Sequence, residues 1–182
     1  MYCMSNNTGS NNIAIGYSAN IGEGVSNAIA IGQGSTNSTS NTIVLGNTSI
    51  TKVSTSGAIV TTNGITAKHI KGNSGALSIA ASTGAGTSPS AVSVTGTDMS
   101  GVVSLTTGSS PSVNAVLATI TYNTAFSTAP VVVITPANAA TASLAAAQAV
   151  WVNITTTGFT INTNATAVVS STAYKWNYVV IQ

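Results

Sequence analysis

Short apolar stretches, each between an asparagine and a glycine and separated by polar turns, occur three times in the first fifty residues. They are Asn12-Ile13-Ala14-Ile15-Gly16, Asn27-Ala28-Ile29-Ala30-Ile31-Gly32 and Asn41-Thr42-Ile43-Val44-Leu45-Gly46. Each stretch predicts a short β-strand with two aliphatic side chains on one face and one residue on the other. The closing glycines are 16 and then 14 residues apart. A short period with one strand and one turn per unit is typical of a solenoid of stacked coils.

One coil of this kind is too small to fold alone. Burying its two aliphatic side chains gains roughly 3–6 kcal/mol, whereas ordering about 15 residues costs on the order of 20 kcal/mol. Three coils with a single thin apolar row have the same deficit. We therefore expect the aliphatic row to be covered by neighbouring coils and by other chains, as in a threefold bundle in which each chain supplies one wall.

The pattern becomes sparser over residues 51–75, where single aliphatic residues are spread among Thr, Ser and Gly. Gly57 and Asn63-Gly64 are turn signals, and Asn-Gly favours the type I′ turn of a β-hairpin. The stretch from Gly64 to Gly72 predicts a strand with its lysines on the outer face. Aliphatic residues this sparse predict an interwoven neck, in which several chains wind around one another.

Residues 76–182 alternate between short apolar stretches and punctuation by Gly, Pro, Ser and Asn. The nine predicted strands are Leu77–Ala81, Ala91–Thr95, Val102–Thr106, Ala115–Tyr122, Val131–Thr135, Ala149–Thr155, Phe159–Asn162, Ala167–Ser170 and Tyr174–Ile181. This number and spacing of strands predicts a β-sandwich of the jelly-roll kind. The alanine-rich stretch 139–149 is predicted to be a loop or one short helical turn, because alanine favours helix but no leucine stripe accompanies it.

Aromatic side chains on two of these strands are the candidate ligand contacts. Tyr174, Trp176 and Tyr178 share one face of the last strand, as a ladder that would either stack on sugar rings or pack in a core or between subunits. We favour packing, and keep Tyr174 and Tyr178 as candidate binding residues. Trp151 is the better candidate for an exposed contact, because Val152 and its neighbours already give that strand an apolar face on the other side.

His69 is the single histidine of the chain. On a threefold axis, three copies of it would offer imidazole nitrogens to a metal ion or an anion. The alternative, which we favour, is a polar surface residue beside Lys68 and Lys71. The sequence therefore predicts no metal site and no cofactor.

Low charge and short apolar runs argue against nucleic acid and membrane as partners. The 182 residues contain four Lys, no Arg, one Asp and one Glu, for a net charge of +2. Four scattered lysines cannot neutralise a phosphate backbone, so we expect no nucleic-acid binding. No apolar run is long enough for a membrane-spanning helix, so we expect no membrane insertion.

The composition also predicts the fold class. The apolar share of 43% allows a packed core, and the abundance of Thr, Ser, Asn and Val favours an all-β fold.

The same composition argues against an enzyme. Glu23 and Asp98 lie in different units, which leaves no pair of carboxylates for a glycosidase. A Ser–His–Asp triad would have only His69 and Asp98 to draw on. Cys3 is the single cysteine, so no intrachain disulfide is predicted.

Two parts of the chain resemble known fibre proteins. The Asn-x-Ile-Ala-Ile-Gly units of residues 9–50 resemble the left-handed β-roll head repeats of trimeric autotransporter adhesins, which also occur in phage tail fibres and in fibre-like proteins of large DNA viruses. The second part resembles a C-terminal domain of phage and giant-virus fibre proteins. The segments that carry this resemblance are Gly96–Gly101, Ala129–Asn138, Thr157–Asn162 and Tyr174–Tyr178. The resemblance implies an all-β homotrimer with left-handed β-roll repeats (1–50), an interwoven β neck (51–75) and a jelly-roll-like β-sandwich knob (76–182).

The function implied by this resemblance is host attachment by the distal part of a viral or phage fibre on the virion surface. Its partners would be further copies of the chain and a host cell-surface receptor, expected to be a carbohydrate bound by several weak sites at once. Three alternatives stay open: the head of a bacterial trimeric autotransporter adhesin on the bacterial surface, a purely structural fibre segment, and an ice-binding solenoid. The end at Gln182, directly after a predicted strand, favours the viral tip.

Overall fold

The computed structural model of the protein describes residues 7–57, 59–72 and 75–182. It is 37% strand and 6% helix, in several sheets of which none is closed, and this confirms the all-β prediction. The chain divides into two units, Met1–Ile65 and Thr66–Gln182, so the boundary falls within the predicted neck. Cys3 lies outside the described residues.

The first unit contains the three predicted strands, stacked in parallel. They are β1 (Ile13–Ile15), β3 (Ile29–Ile31) and β5 (Ile43–Leu45). The sheet order is β1-β3-β5, with Ile13 opposite Ile29 and Ile29 opposite Ile43. A second parallel sheet, which the sequence pattern did not predict, pairs β2 (Asn20–Ile21) with β4 (Thr36–Asn37). The first two coils therefore contribute one strand to each sheet.

Each coil turns at an asparagine before its strand and at a glycine after it. Three asparagines have φ between 55° and 61°, a left-handed conformation that asparagine tolerates better than most residues: Asn11, Asn27 and Asn41. The glycines that close the strands also have positive φ. A Cβ atom on Gly16 would lie 2.7 Å from the carbonyl carbon of Gly32, so the coils stack too closely for a side chain there. The Asn and Gly of the repeat therefore determine both corners of each coil.

The interior of the first unit is lined by Ile21, Val25, Ala28 and Ala30, three of which are fully buried. The first and third residues of the three strands point the other way, as alternation predicts. This outer row, called the isoleucine stripe below, consists of Ile13, Ile15, Ile29, Ile31, Ile43 and Leu45. On the inner face of the strands, Ala30 of the middle strand is fully buried and the residues beside it are half-buried, whereas most of the stripe is open to solvent, with Ile15 57% exposed.

A buried amide joins the second coil to the third. The Nδ2 of Asn37 donates to the carbonyl oxygens of Ile29, at 3.1 Å, and Thr42, at 2.9 Å. Its Oδ1 accepts from the backbone N–H of Thr39, at 3.0 Å, and from the hydroxyl of Thr42, at 2.8 Å. Asn37 thereby uses both donors and both acceptor positions of its side chain, which a buried amide needs.

Residues 51–57 and 59–72 contain no strand in this single chain. The predicted strand Gly64–Gly72 and the predicted hairpin turn are therefore wrong for one chain. Gly64 has a φ of 87°, but Asn63 does not have positive φ, and a type I′ turn needs both. The aliphatic residues here are exposed, up to 89% for Val60. A strand needs apolar side chains that can be buried on at least one face, and the aliphatic residues described here are too sparse to provide them.

The second unit consists of two four-stranded antiparallel sheets around one core. The first sheet contains β7 (Ser90–Thr97), β8 (Ser100–Thr106), β10 (Val131–Pro136) and β13 (Ala173–Ile181). The second contains β6 (Ser78–Ala81), β9 (Val116–Thr121), β11 (Trp151–Ile154) and β12 (Gly158–Asn162). Their orders are β10-β13-β8-β7 and β11-β12-β9-β6. Eight of the nine predicted strands are present, within two residues of their predicted ends.

The alanine-rich stretch forms one short helix, α1 (Ala139–Ala142), and a 3₁₀ turn at Ala146–Gln148, as predicted. Another 3₁₀ turn lies at Thr83–Ala85. The side chain of Asn138 caps α1 by accepting from the N–H of Thr141 at 3.0 Å.

The ninth predicted strand, Ala167–Ser170, is absent. Side chains satisfy its backbone in place of a neighbouring strand. The Thr107 hydroxyl donates to the Val169 carbonyl at 2.6 Å, and the Val169 N–H donates to the Tyr174 hydroxyl at 3.0 Å. Peptide groups that are paired in this way do not need a strand ladder.

Replacing Asn37 by alanine should destabilise the stacked coils. The change removes the four hydrogen bonds that the Asn37 side chain makes, at a cost of about 0.5–1.5 kcal/mol each. Hydrogen exchange at the amides of β3 and β5 should then accelerate at least about tenfold. The matched control is Asn47→Ala, whose side chain is exposed and donates to the Gln33 carbonyl at 2.7 Å. Equal exchange rates in the two variants would contradict the role of Asn37.

Candidate functional site

The aromatic ladder of β13 lies in the core. Tyr174, Trp176 and Tyr178 are each about 1% exposed. Tyr178 packs against Phe159 of the opposite sheet, with ring centroids 5.7 Å apart, and Tyr174 stacks on Trp176 at 5.8 Å. These positions agree with the packing alternative. Tyr174 and Tyr178 present no ring face to a sugar, and we withdraw them as candidate binding residues.

Trp151 lies on the surface, at the beginning of the edge strand β11. Its side chain is 54% exposed. Val152 and Ile154, which alternate with it along the strand, pack against the core, so Trp151 and Asn153 point outward. Trp151 therefore keeps the exposure that a ligand contact requires.

The outer face around Trp151 carries hydroxyl and amide groups. Asn153 is paired with Thr160, and Thr160 with Thr119, so these three form a row across three strands. Trp151 is paired with Asn162 in the next row. The Nδ2 of Asn162 donates to the Thr160 hydroxyl at 2.9 Å. Trp151, Asn153, Thr119 and Thr160 form a surface that we call the Trp151 face, and the buried Asn162 supports it.

A shallow depression of about 140 Å³ opens in this face. Its lining consists of Thr119, Ile120, Thr121, Asn153, Thr155, Thr157, Gly158, Phe159 and Thr160. Most of the polar groups in this lining are threonine hydroxyls, each of which donates one hydrogen bond and accepts others. The depression can therefore exchange hydrogen bonds with a polar, uncharged group.

The outer face of the other sheet is aliphatic at one end. Val131 of β10 lies opposite Ile181 of β13, and Val133 lies opposite Val179. These four side chains, called the valine patch below, are 45–62% exposed. The predicted strands did not reveal this patch. The sequence feature that could have predicted it is the uninterrupted apolar run Val131-Val132-Val133-Ile134, because a strand without alternation is apolar on both faces.

Asp98 is buried in the turn between β7 and β8. Its Oδ1 accepts from the N–H of Asn123 at 2.8 Å, and its Oδ2 accepts from the N–H of Thr124 at 3.0 Å. Burial, with the charge of Asp98 as a further cause, raises the pKa of Tyr122 and that of Tyr178 to about 12. A carboxylate that holds two backbone amides in this way anchors a loop.

The other titratable residues named by the sequence analysis do not converge. His69 is exposed on the described chain. Glu23 and Asp98 belong to different units. No group of three or more His, Cys, Asp or Glu side chains that could hold a metal ion occurs among the described residues. Within the same residues, no helix is long and apolar enough to cross a membrane.

No protein-family model matches the chain, and the comparisons with curated proteins and with solved structures found no match.

We expect the second unit to lose stability as the pH rises from about 10 towards 12. Tyr122 and Tyr178 hold their protons more tightly in the folded protein than in the unfolded chain, where tyrosine titrates near pH 10. Their contribution to the free energy of unfolding is therefore complete below pH 10 and is lost as the pH approaches 12. Near-ultraviolet circular dichroism and tyrosinate absorbance would follow the transition.

Tyr122→Phe is the variant that tests this assignment. The Tyr122 hydroxyl is buried and has no hydrogen-bond partner within the described part of the chain. The variant should therefore change stability little at pH 7 and should unfold at a higher pH than the parent protein. An identical alkaline midpoint in the two proteins would contradict the prediction.

Proposed function

We propose that the chain is a subunit of a homotrimeric viral or phage fibre protein that attaches the particle to a host cell-surface receptor. In this proposal residues 1–50 are a left-handed β-roll, residues 51–75 are an interwoven neck, and residues 76–182 are the knob. The observation that carries the proposal is the aliphatic surface that the folded chain leaves uncovered.

The isoleucine stripe is the first part of that surface. Fully burying an aliphatic side chain gains about 1.5–3 kcal/mol, so covering the exposed half of six such side chains would gain on the order of 5–9 kcal/mol per chain. Equivalent surfaces on identical chains meet naturally around a symmetry axis. Three chains around one axis would convert the stripe into a shared core, and the resemblance of residues 9–50 to trimeric head repeats supports this number.

The neck and the valine patch are two further regions with exposed aliphatic side chains. Val53, Ile59, Val60, Ile65 and Ile70 are all more than half exposed. The valine patch contributes four more aliphatic side chains in the second unit. Clustered exposed apolar side chains mark interaction sites in soluble proteins. In a fibre, other copies of the chain would lie beside each subunit and cover these side chains.

A trimer would make attachment multivalent. Three equivalent surfaces on one rod engage a receptor-bearing cell surface together, so weak individual contacts add up to a stable attachment. A surface rich in Thr, Ser and Asn hydroxyls and amides suits a carbohydrate receptor, because those groups exchange hydrogen bonds with sugar hydroxyls.

The purified chain should have three times the mass of one chain at micromolar concentration. Size-exclusion chromatography with multi-angle light scattering measures this mass directly. A monomer under these conditions would refute the proposal, because the isoleucine stripe and the neck would then stay exposed to water.

Ile15→Asn should weaken the trimer without unfolding the subunit. Ile15 is exposed in the single chain, so the amide would lose its water only on assembly, at a cost that weakens association more than about tenfold. Val113→Asn is the matched control, since Val113 is 47% exposed but lies outside the stripe, in the loop before β9. Equal dissociation of both variants would contradict the assignment of the stripe.

Attachment itself needs a separate measurement. The labelled trimer should bind to host cells, and it should compete with intact particles for the same sites. A trimer that binds no cell surface would support the alternative of a purely structural fibre segment.

A further inference from the structure

The two outer faces of the second unit suit different partners. The valine patch is aliphatic, as permanent contacts between subunits are. The Trp151 face combines one exposed indole with hydroxyl and amide groups, a composition typical of surfaces that meet a polar ligand in the presence of water. Because the two faces belong to opposite sheets, a subunit contact through the valine patch leaves the Trp151 face open to solvent.

We infer that the Trp151 face binds a neutral glycan. A pyranose ring presents C–H groups on its face and hydroxyl groups around its rim. The indole of Trp151 offers a flat apolar surface for the ring face. The side chains of Asn153 and Thr160 offer donors and acceptors for the rim, and the buried Asn162 donates to the Thr160 hydroxyl from below. Trp151 and Asn153 are two residues apart on the same side of β11, about 7 Å along the strand, which is comparable with the length of one hexose.

The charge distribution selects the class of glycan. The charged residues of the second unit are Lys68, Lys71, Asp98 and Lys175. Lys175 lies on β13 in the other sheet, Asp98 is buried, and the remaining two precede the first strand of the unit. No described cationic side chain therefore lies in the Trp151 face to pair with a carboxylate or a sulfate. The face should prefer neutral sugars to sialic acids, uronic acids and sulfated sugars.

The depression extends the site along β11. Asn153 lines it and follows Trp151 on the same side of the strand, so a sugar stacked on the indole reaches the depression with its next residue or with a hydroxymethyl arm. Phe159, below the depression, is buried against the core and gives the recess a firm floor. The site therefore fits an oligosaccharide better than a single sugar.

This inference rests on the proposed attachment function, and tryptophan fluorescence tests it. The chain has two tryptophans, and Trp176 is buried, so acrylamide quenching of the exposed emission reports on Trp151. An array of neutral and sialylated oligosaccharides, including lactose and 3′-sialyllactose, would supply the probes. We expect neutral oligosaccharides to bind and to protect Trp151 from quenching, and sialylated ones to bind no more tightly than their neutral parents. Binding confined to sialylated probes, or to none, would overturn the inference.

Single-residue variants test the glycan site independently of the fibre proposal. Trp151→Ala should lower the affinity for the bound oligosaccharide at least about tenfold, and Asn153→Ala should lower it less. Val113→Ala, outside the face, should leave it unchanged. If Trp151→Ala stays trimeric and binds the glycan as the parent does, this inference is wrong while the fibre proposal stands. If the parent protein is a monomer, the fibre proposal itself fails.

Discussion

The whole structure depends on one constraint: a strand has two faces, and this chain can cover only one of them. In the first unit, Ala30 on the inner face of its strand is buried, whereas Ile15 on the outer face meets solvent. In the second unit, Val132 and Val180 lie in the core, whereas Val131 and Ile181 lie outside. Apolar residues on both faces are otherwise found in sheets that are covered on both sides. In the proposed trimer, contacts between chains would cover the exposed faces.

Uncharged polar side chains perform the structural work that charged residues perform in many proteins. Asn37 satisfies backbone groups between coils, and Thr107 and Tyr174 satisfy Val169 where no strand passes. Asp98 is the exception, and it too holds backbone amides. A chain that relies on such local hydrogen bonds can keep its surface nearly free of charge. That surface is suited to close packing between chains and to neutral ligands.

Much of the local structure could be predicted from the sequence. Three strands of the first unit and eight strands of the second follow from alternation and from turn residues. Asn27 and Gly32 show why, since both adopt backbone conformations that few other residues tolerate. The strand Ala167–Ser170 could not be excluded in advance, because the hydroxyls that replace its ladder come from Thr107 and Tyr174, one of them 62 residues away. Within the candidate site, the exposure of Trp151 could be predicted, because the neighbouring Val152 takes the inner face of the strand. The depression beside it could not, because residues of three paired strands line it.

By itself, the sequence determined where the strands and corners lie and which side chains share a face, because alternation and left-handed turn residues act over a few positions of the chain. Only the tertiary structure decided which face is inside. Tyr178 is buried because Phe159 of the opposite sheet lies against it, and Trp151 is exposed because its outward face has no sheet over it. Burial depends on what lies across the core, and segments far apart in the sequence supply that contact.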